Sequence, residues 1–195
     1  MQRTTYYISK TDLLEQHAQL IEDCINGNRK SQSCLYEHFA VKMFGICMRY
    51  SKNREEAEEI MQEGFVQVFK SLHNFKYAGS FEGWIRKIMV YCAIQHYRSK
   101  PKMYPVVNIE DSNAMQMSND DILTILQKKE LLKMVQALTP AYRLVFNLFV
   151  FEGMKHREIA AHLGISEGTS KSNFFDAKIL LQKAVASSLK ISKNY

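Results

Sequence analysis

The stretch Ile159-Ala160-Ala161-His162-Leu163-Gly164-Ile165-Ser166 constrains this chain more than any other part of it. Ile159, Ala160 and Leu163 recur at helical spacing and form the inner face of a short helix over Lys155–Leu163. Gly164 supplies the left-handed residue of a sharp turn, Ile165 plugs the corner, and Ser166 is an N-cap for a second helix. Glu167 then meets the positive end of that helix. The second helix is expected over Glu167–Leu181, burying Phe174, Ala177 and Leu181, and the small Ala160 lets the pair approach closely. This is the pattern of a helix-turn-helix, spanning about Leu138 to Ala184, whose second helix fits a DNA major groove. An ordinary helical hairpin is the competing reading.

Thr169, Lys171, Ser172, Phe175 and Lys178 fall on the outer face of the second helix. Lys171 can reach a phosphate or a guanine edge, Ser172 can bond to either, and Phe175 can meet a thymine methyl. Solvated surface is the alternative for both lysines. Arg143, Lys155 and Arg157, ahead of the motif, are candidate phosphate contacts that fix register without reading sequence.

The rest of the chain also reads as helix. Thr11 or Asp12 can cap a first helix ending at Gly27, and a second runs from about Ser33 to Tyr50. Asn53 caps a third, in which Ala57, Ile60, Met61, Phe65, Val68, Phe69 and Leu72 recur at three- and four-residue steps. After an aromatic break at 73–80, a fourth helix follows over Phe81–Ser99. Periodicity fails from Lys100 to Asn119, where two of the three prolines fall, and resumes at Asp120. Thr139 and Pro140 restart a helix as cap and first residue. The expected architecture is all-α: a helical domain over 1–100, a flexible linker over 101–119, and a second helical domain over 120–195. Each core is small enough to be marginal alone.

Several function classes find no support. The four cysteines form no C-x-x-C pair, so buried free thiols are expected rather than a zinc or redox site. The histidines show no ligand spacing, and no phosphate loop or nucleophile motif is present. Neither a catalytic residue, a metal, a cofactor nor a small-molecule substrate is therefore expected. The longest apolar run, Val145–Phe151, is broken by Asn147 and falls far short of the roughly 20 residues that cross a bilayer. The N-terminus carries no secretion signal, so a cytoplasmic location is expected.

A net charge of +6 favours a polyanionic partner, and its distribution says more. No acid occurs between Glu82 and Glu110, yet Arg86, Lys87, Arg98, Lys100 and Lys102 do. Between Glu55 and Glu63 the bias reverses, with Glu55, Glu56, Glu58, Glu59 and Glu63 and no Lys or Arg. One segment suits phosphates and its neighbour suits something basic.

The stretch LYEHFAVKMFGICMRYSKNREEAEEIMQEGFVQVFKSLHNFKYAGSFEGWIRKIMVYCAIQHYRSK resembles region 2 of extracytoplasmic-function sigma factors of bacterial RNA polymerase. LTPAYRLVFNLFVFEGMKHREIAAHLGISEGTSKSNFFDAKILLQK resembles region 4 of the same family, in matching order and separation. The resemblance implies that Glu58, Glu59, Gln62 and Glu63 bind the clamp helices of the polymerase large subunit. It also implies that the aromatic break and fourth helix recognise and open the −10 element. Phe75, Tyr77, Arg86, Lys87, Tyr91, Gln95 and Arg98 are the residues brought forward, with Phe81 and Trp84 read as packing. The second domain would then read the −35 element as duplex. Core RNA polymerase, promoter DNA and an anti-sigma factor, often membrane-anchored, are the implied partners. Three positions depart from the common pattern. Tyr91 stands where many members carry Asn, Asp176 where a basic residue is common, and Ser170 where a buried aliphatic is frequent. A DNA-binding regulator that uses only the second domain, without being a polymerase subunit, is the competing function.

Overall fold

The computed structural model describes residues 10–99 and 120–192, with side chains over 18–99 and 128–188. The expected linker over 101–119 and the basic residues Lys100 and Lys102 lie outside the described residues. Every regular element among the described residues is helical: α1 (Lys10–Ile25), α2 (Arg29–Tyr50), α3 (Arg54–Ser71), α4 (Phe81–Ser99), α5 (Asp120–Ala137), α6 (Pro140–Val150), α7 (His156–Leu163) and α8 (Glu167–Ser192). A single 3-10 turn, Leu72–Asn74, follows α3. No helix among the described residues is long and apolar enough to cross a membrane.

Local chemistry sets most of the boundaries. The Asn53 side chain accepts from the Glu56 amide, and that of Thr139 accepts from the Tyr142 amide with Pro140 at the first helical position. Gly164 ends α7 at φ 64°, the left-handed conformation its turn requires. Three boundaries differ from the pattern reading. The expected caps Thr11 and Asp12 lie inside α1 and do not precede it. Helix α2 begins at Arg29 rather than Ser33, because Asn28 accepts from the amides of Lys30 and Ser31. Helix α8 runs on to Ser192, well beyond Leu181, because its later turns pack on α5. Leu181 is accordingly only half-buried.

Helices α2, α3 and α4 pack on one another around Leu35, Phe39, Met43, Ile60, Val68, Ile85 and Met89. Helices α6, α7 and α8 pack around Leu144, Val145, Leu148, Ile159, Leu163 and Ala177, with α5 laid against α8. The two groups are not separate islands. Leu144, Val145, Leu148, Ile159 and Leu163 belong to the same buried apolar cluster as the α2–α4 residues, so one core runs through both lobes.

Gly64 sets the α3–α4 distance. A Cβ there would lie 2.2 Å from Sδ and 2.9 Å from Cε of Met89, a side chain with no exposed surface to swing into. In Gly64→Ala the helix-propensity gain of about 1 kcal/mol competes with an overpacking cost of about 1–3 kcal/mol. The urea-unfolding midpoint should therefore fall, and fall further for Gly64→Val; an unchanged midpoint would mean that Met89 repacks freely.

Candidate nucleic-acid interface

Helix α8 presents Thr169, Lys171, Ser172, Phe175 and Lys178 to solvent, as its amphipathic pattern requires, with Phe175 61% exposed. An aromatic side chain so placed, one residue from the packed Phe174, buries little in the fold itself. Two of the polar groups are engaged within the helix. Lys171 Nζ lies 2.7 Å from Glu167 Oε1, one turn back, and this partner holds the Glu167 carboxyl below the usual carboxylate range. The Ser172 hydroxyl donates to the Thr169 carbonyl at 3.1 Å. Both contacts are exposed and local, the kind that exchanges readily for a ligand group. Lys155 and Arg157 are also exposed. Glu158 reaches back to the Lys155 amide and fixes the start of α7.

The floor of this module is more polar than its pattern suggests. Phe174 is half-buried and stands 4.4 Å from Phe149, with His156 stacked on Phe149 at 4.7 Å. Ser170 is fully buried, and its hydroxyl lies 3.0 Å from His156 Nδ1 rather than bonding back to its own helix. A hydroxyl in an apolar place thus finds a side-chain partner, which removes the desolvation cost it would otherwise carry. Asp176 accepts from the Tyr142 hydroxyl at 3.1 Å, so this acid ties α8 to α6. Tyr142 and His156 are structural partners that motif reading did not single out.

Arg143 is corrected by the structure. It is 2% exposed and meets no solvent where a phosphate could reach it. Its Nε donates to the Tyr50 carbonyl at 3.1 Å and its Nη1 to the Gln136 carbonyl at 2.6 Å, at the C-terminal ends of α2 and α5. Burial pulls its pKa below the usual arginine value. Two neighbours act likewise: Gln136 Nε2 donates to the Met48 carbonyl at 2.9 Å, and Asn147 Nδ2 to the Arg49 carbonyl at 2.8 Å. The Ser51 amide completes the set on Cys47 O. The last carbonyls of a helix have no intrahelical donors, so the second lobe caps the end of α2 in trans. The break that Asn147 makes in an apolar run was the signal of this in the sequence.

On α3, Glu59, Gln62 and Glu63 lie exposed along one stripe, joined one turn later by exposed Val66. Glu58 is half-buried and accepts from Arg54 Nε at 2.7 Å. His96 of α4 stands 3.3 Å from Glu56 and 3.9 Å from Glu59, linking the two helices.

The residues of the break and of α4 divide. Lys87, Tyr91, Gln95 and Arg98 recur at three- and four-residue steps; Lys87, Tyr91 and Arg98 are exposed and Gln95 half-buried. Tyr91 is 54% exposed. Tyr77 is exposed too, at a φ of 56° that is strained for an aromatic residue. Phe75 is corrected: at 9% exposure it belongs to the core, its ring 5.0 Å from Phe81 and 5.5 Å from Trp84. Phe81 is buried and Trp84 partly so, as packing residues. Arg86 is already partnered. Its Nη2 donates to Glu152 Oε1 at 2.8 Å and to the Phe151 carbonyl at 2.7 Å, both in the turn after α6. The Tyr50 hydroxyl donates to the same Glu152 oxygen at 3.0 Å; burial first, and that carboxylate second, push its pKa well above the ordinary tyrosine value.

Residues 35–102 match the sigma-70 region 2 family and residues 128–181 match sigma-70, region 4, together more than half of the chain. The RNA polymerase sigma-H factor of Pseudomonas aeruginosa is 24% identical over 182 residues, covering 88% of this chain and 94% of that protein. The ECF RNA polymerase sigma factor SigE of Mycolicibacterium smegmatis is 29% identical over 160 residues, 78% of this chain and 60% of that one. A solved structure of CnrH in complex with the cytosolic domain of CnrY aligns at a TM-score of 0.45 and 18% identity, covering 86% of this chain and 96% of that chain.

Removing the guanidinium should unseat the trans cap. Arg143→Ala should lower the stability of the full chain by about 2–4 kcal/mol, since hydrogen bonds from a charged donor are each worth about 1.5–3 kcal/mol. Arg143→Lys should not restore it, because an ammonium cannot reproduce the fork that serves two carbonyls. Thermal denaturation of the three proteins checks both; full rescue by Lys would show that charge alone matters.

Proposed function

Because the chain belongs to the extracytoplasmic-function group of sigma-70 factors, we propose that it brings core RNA polymerase to promoters, reads their −35 and −10 elements, and opens the latter. The observation that carries this reading is the presence of two further exposed faces besides the recognition helix. One is the acidic stripe Glu59, Gln62 and Glu63 on α3; the other is the basic and aromatic stripe Lys87, Tyr91, Gln95 and Arg98 on α4. A regulator that works through its helix-turn-helix alone needs neither.

In this reading the α3 stripe meets a basic surface of the polymerase large subunit, where charge complementarity steers association. Glu58 contributes less directly, since Arg54 holds it. Lys87 and Arg98 hold phosphates on either side of Tyr91, whose exposed ring offers a stacking surface for an unpaired base. Tyr77 stands at the neighbouring break. In α8, Lys171, Ser172 and Phe175 read base edges of the −35 duplex, while Lys155, Arg157, Thr169 and Lys178 fix the register on phosphates. The domain division at 1–100 and 120–195 follows this division of labour. No covalent chemistry is assigned to the chain itself. The protein acts in the cytoplasm, beside the polymerase, with an anti-sigma partner that withholds it.

Purified protein with core polymerase should give promoter-dependent transcripts, and neither alone should. Charge reversal in Glu59→Lys with Glu63→Lys should weaken core binding while leaving binding to an isolated −35 duplex intact. Equal loss of both, or no binding to core at all, would contradict the reading. Lys171→Ala should cost about 1–3 kcal/mol of affinity for the −35 duplex if its ammonium leaves Glu167 for a base. Unchanged affinity would return Lys171 to the solvated surface.

A further inference from the structure

Helix α8 is seated on very small side chains. Of those described, only Ser170 and Ala177 are buried, each without exposed surface, and they lie one heptad apart. Residues of this size let helices approach closely but raise no ridge that would fix rotation or depth. Phe174, between them, is half-buried and meets Phe149 at 4.4 Å and Phe146 at 6.3 Å, ring against ring. Apolar contact is non-directional, so it holds α8 down without setting which way the helix is turned.

Two directional contacts set it. Ser170 Oγ lies 3.0 Å from His156 Nδ1 on α7, and Asp176 Oδ2 accepts from the Tyr142 hydroxyl of α6 at 3.1 Å. They are about 9 Å apart along the helix axis at 1.5 Å per residue, and each ties α8 to a different neighbour. His156 is a fixed partner. Its ring stacks on Phe149 at 4.7 Å with the planes 17° apart, and Phe174 meets it edge-on at 5.8 Å, so Nδ1 has one direction to offer. In either tautomer the hydroxyl can donate to Nδ1 or accept from it.

The place of this bond in the chain gives it a use. His156 is flanked by Lys155 and Arg157, the exposed cations assigned above to phosphates. Ser170 is followed by Lys171 and Ser172, assigned to base edges. One hydrogen bond therefore joins the segment that fixes register to the turn that reads bases. A lysine follows a phosphate over a wide range, as a point charge on a flexible stem. A paired base contact needs its group held within about 0.5 Å. A small turn or tilt of α8 thus spares the first kind of contact and spoils the second.

We propose that Ser170 and His156 are positioning residues for sequence discrimination. They touch no DNA, and their bond sets α8 at the depth and rotation at which it reads base edges against the phosphate contacts of α7. Affinity for any duplex rests on the cations, and choice among duplexes rests on this bond. This inference rests on the promoter reading above.

The test uses the full chain bound to core polymerase, with core polymerase alone as the blank, and a duplex pool randomised over about 10 base pairs, one helical turn. Duplexes enriched by the unaltered protein define a selected sequence. Discrimination is the affinity for that sequence divided by the affinity for the unselected pool. Ser170→Thr and Ser170→Val share one shape and differ in a hydroxyl against a methyl. Ser170→Thr should keep discrimination within about twofold of the parent, and Ser170→Val should lower it about fivefold, with affinity for the unselected pool unchanged in both. Ser170→Val should melt no lower than Ser170→Thr, since a buried methyl needs no partner. A residue that only fills space would move the two variants together. If the added branch prevents folding, Ser170→Ala, smaller than the parent, replaces both. Ser170→Ala and His156→Phe should each lower discrimination about fivefold, and the double variant no further than either alone. Equal discrimination in Ser170→Thr and Ser170→Val overturns the inference. So do losses that multiply in the double variant, or a loss of affinity that is equal on selected and unselected duplexes. If the unaltered protein enriches no sequence, the promoter reading itself has failed and the inference falls with it.

Discussion

The end of α2 is the point on which the rest of the structure turns. A helix of this length leaves its last carbonyls without donors, and a buried helix end without partners is costly. Here the donors come from almost a hundred positions further on, from Gln136, Arg143 and Asn147. Arg143 is the central one, because one guanidinium fits the ends of α2 and α5 together and sets its positive charge against two negative dipole ends. With α6 held there, Leu144, Val145 and Leu148 close onto the first lobe and Glu152 arrives beside Arg86. The continuous core and the interlobe ion pair are both consequences of where that cap is found.

This explains what could and could not be read from the chain alone. Helices α3, α4, α6 and α7 were legible because their boundaries rest on neighbours in sequence: Asn53 with Glu56, Thr139 with Pro140 and Tyr142, Gly164 at its turn. The outer face of α8 was legible for the same reason, since helical periodicity assigns Thr169, Lys171, Ser172, Phe175 and Lys178 to the outside. Apart from the start of α2, which the neighbouring Asn28 caps, errors fall where the deciding partner is distant. Helix α8 outruns its expected end because α5 supports it, and Arg143 is buried because α2 ends beside it. An arginine just before a helix-turn-helix looks the same in sequence whether it meets a phosphate or a helix terminus.

The aromatic residues of the break show a similar limit. Phe75, Tyr77, Phe81 and Trp84 form one run of stacked and tilted rings, and composition gives no reason to separate them. Geometry does. Phe75 turns inward at the end of the 3-10 turn, whereas Tyr77 takes a strained left-handed backbone and stays in water. An inward Phe75 buries area that stabilises the support under α4, and an outward Tyr77 keeps a polar tip hydrated. The exposed aromatic surface is therefore narrower than the aromatic run, and Tyr91, a helical turn beyond Lys87, is the most exposed ring on α4.

Net charge, finally, is a poor measure of what this surface offers a polyanion. Of the cations placed near DNA by pattern, Arg143 is buried against carbonyls, Arg86 is paired with Glu152, and Lys171 is paired with Glu167. Lys87, Arg98, Lys155, Arg157 and Lys178 remain exposed and show no ion pair among the described residues. These two sets differ in how they respond to an approaching phosphate. The unpaired cations contribute to long-range attraction from the outset, screened only by salt. Arg86 and Lys171 contribute only after a carboxylate has been displaced, so their attraction is realised at contact and is offset by the pair that is lost. Lys171 exchanges an exposed partner held within its own helix, which costs little. Arg86 is paired with a partly buried carboxylate held by the other lobe, so losing that partner costs more than losing an exposed one. The two carboxylate pairs thus differ in reach: that of Lys171 lies within one helix and that of Arg86 joins the two lobes.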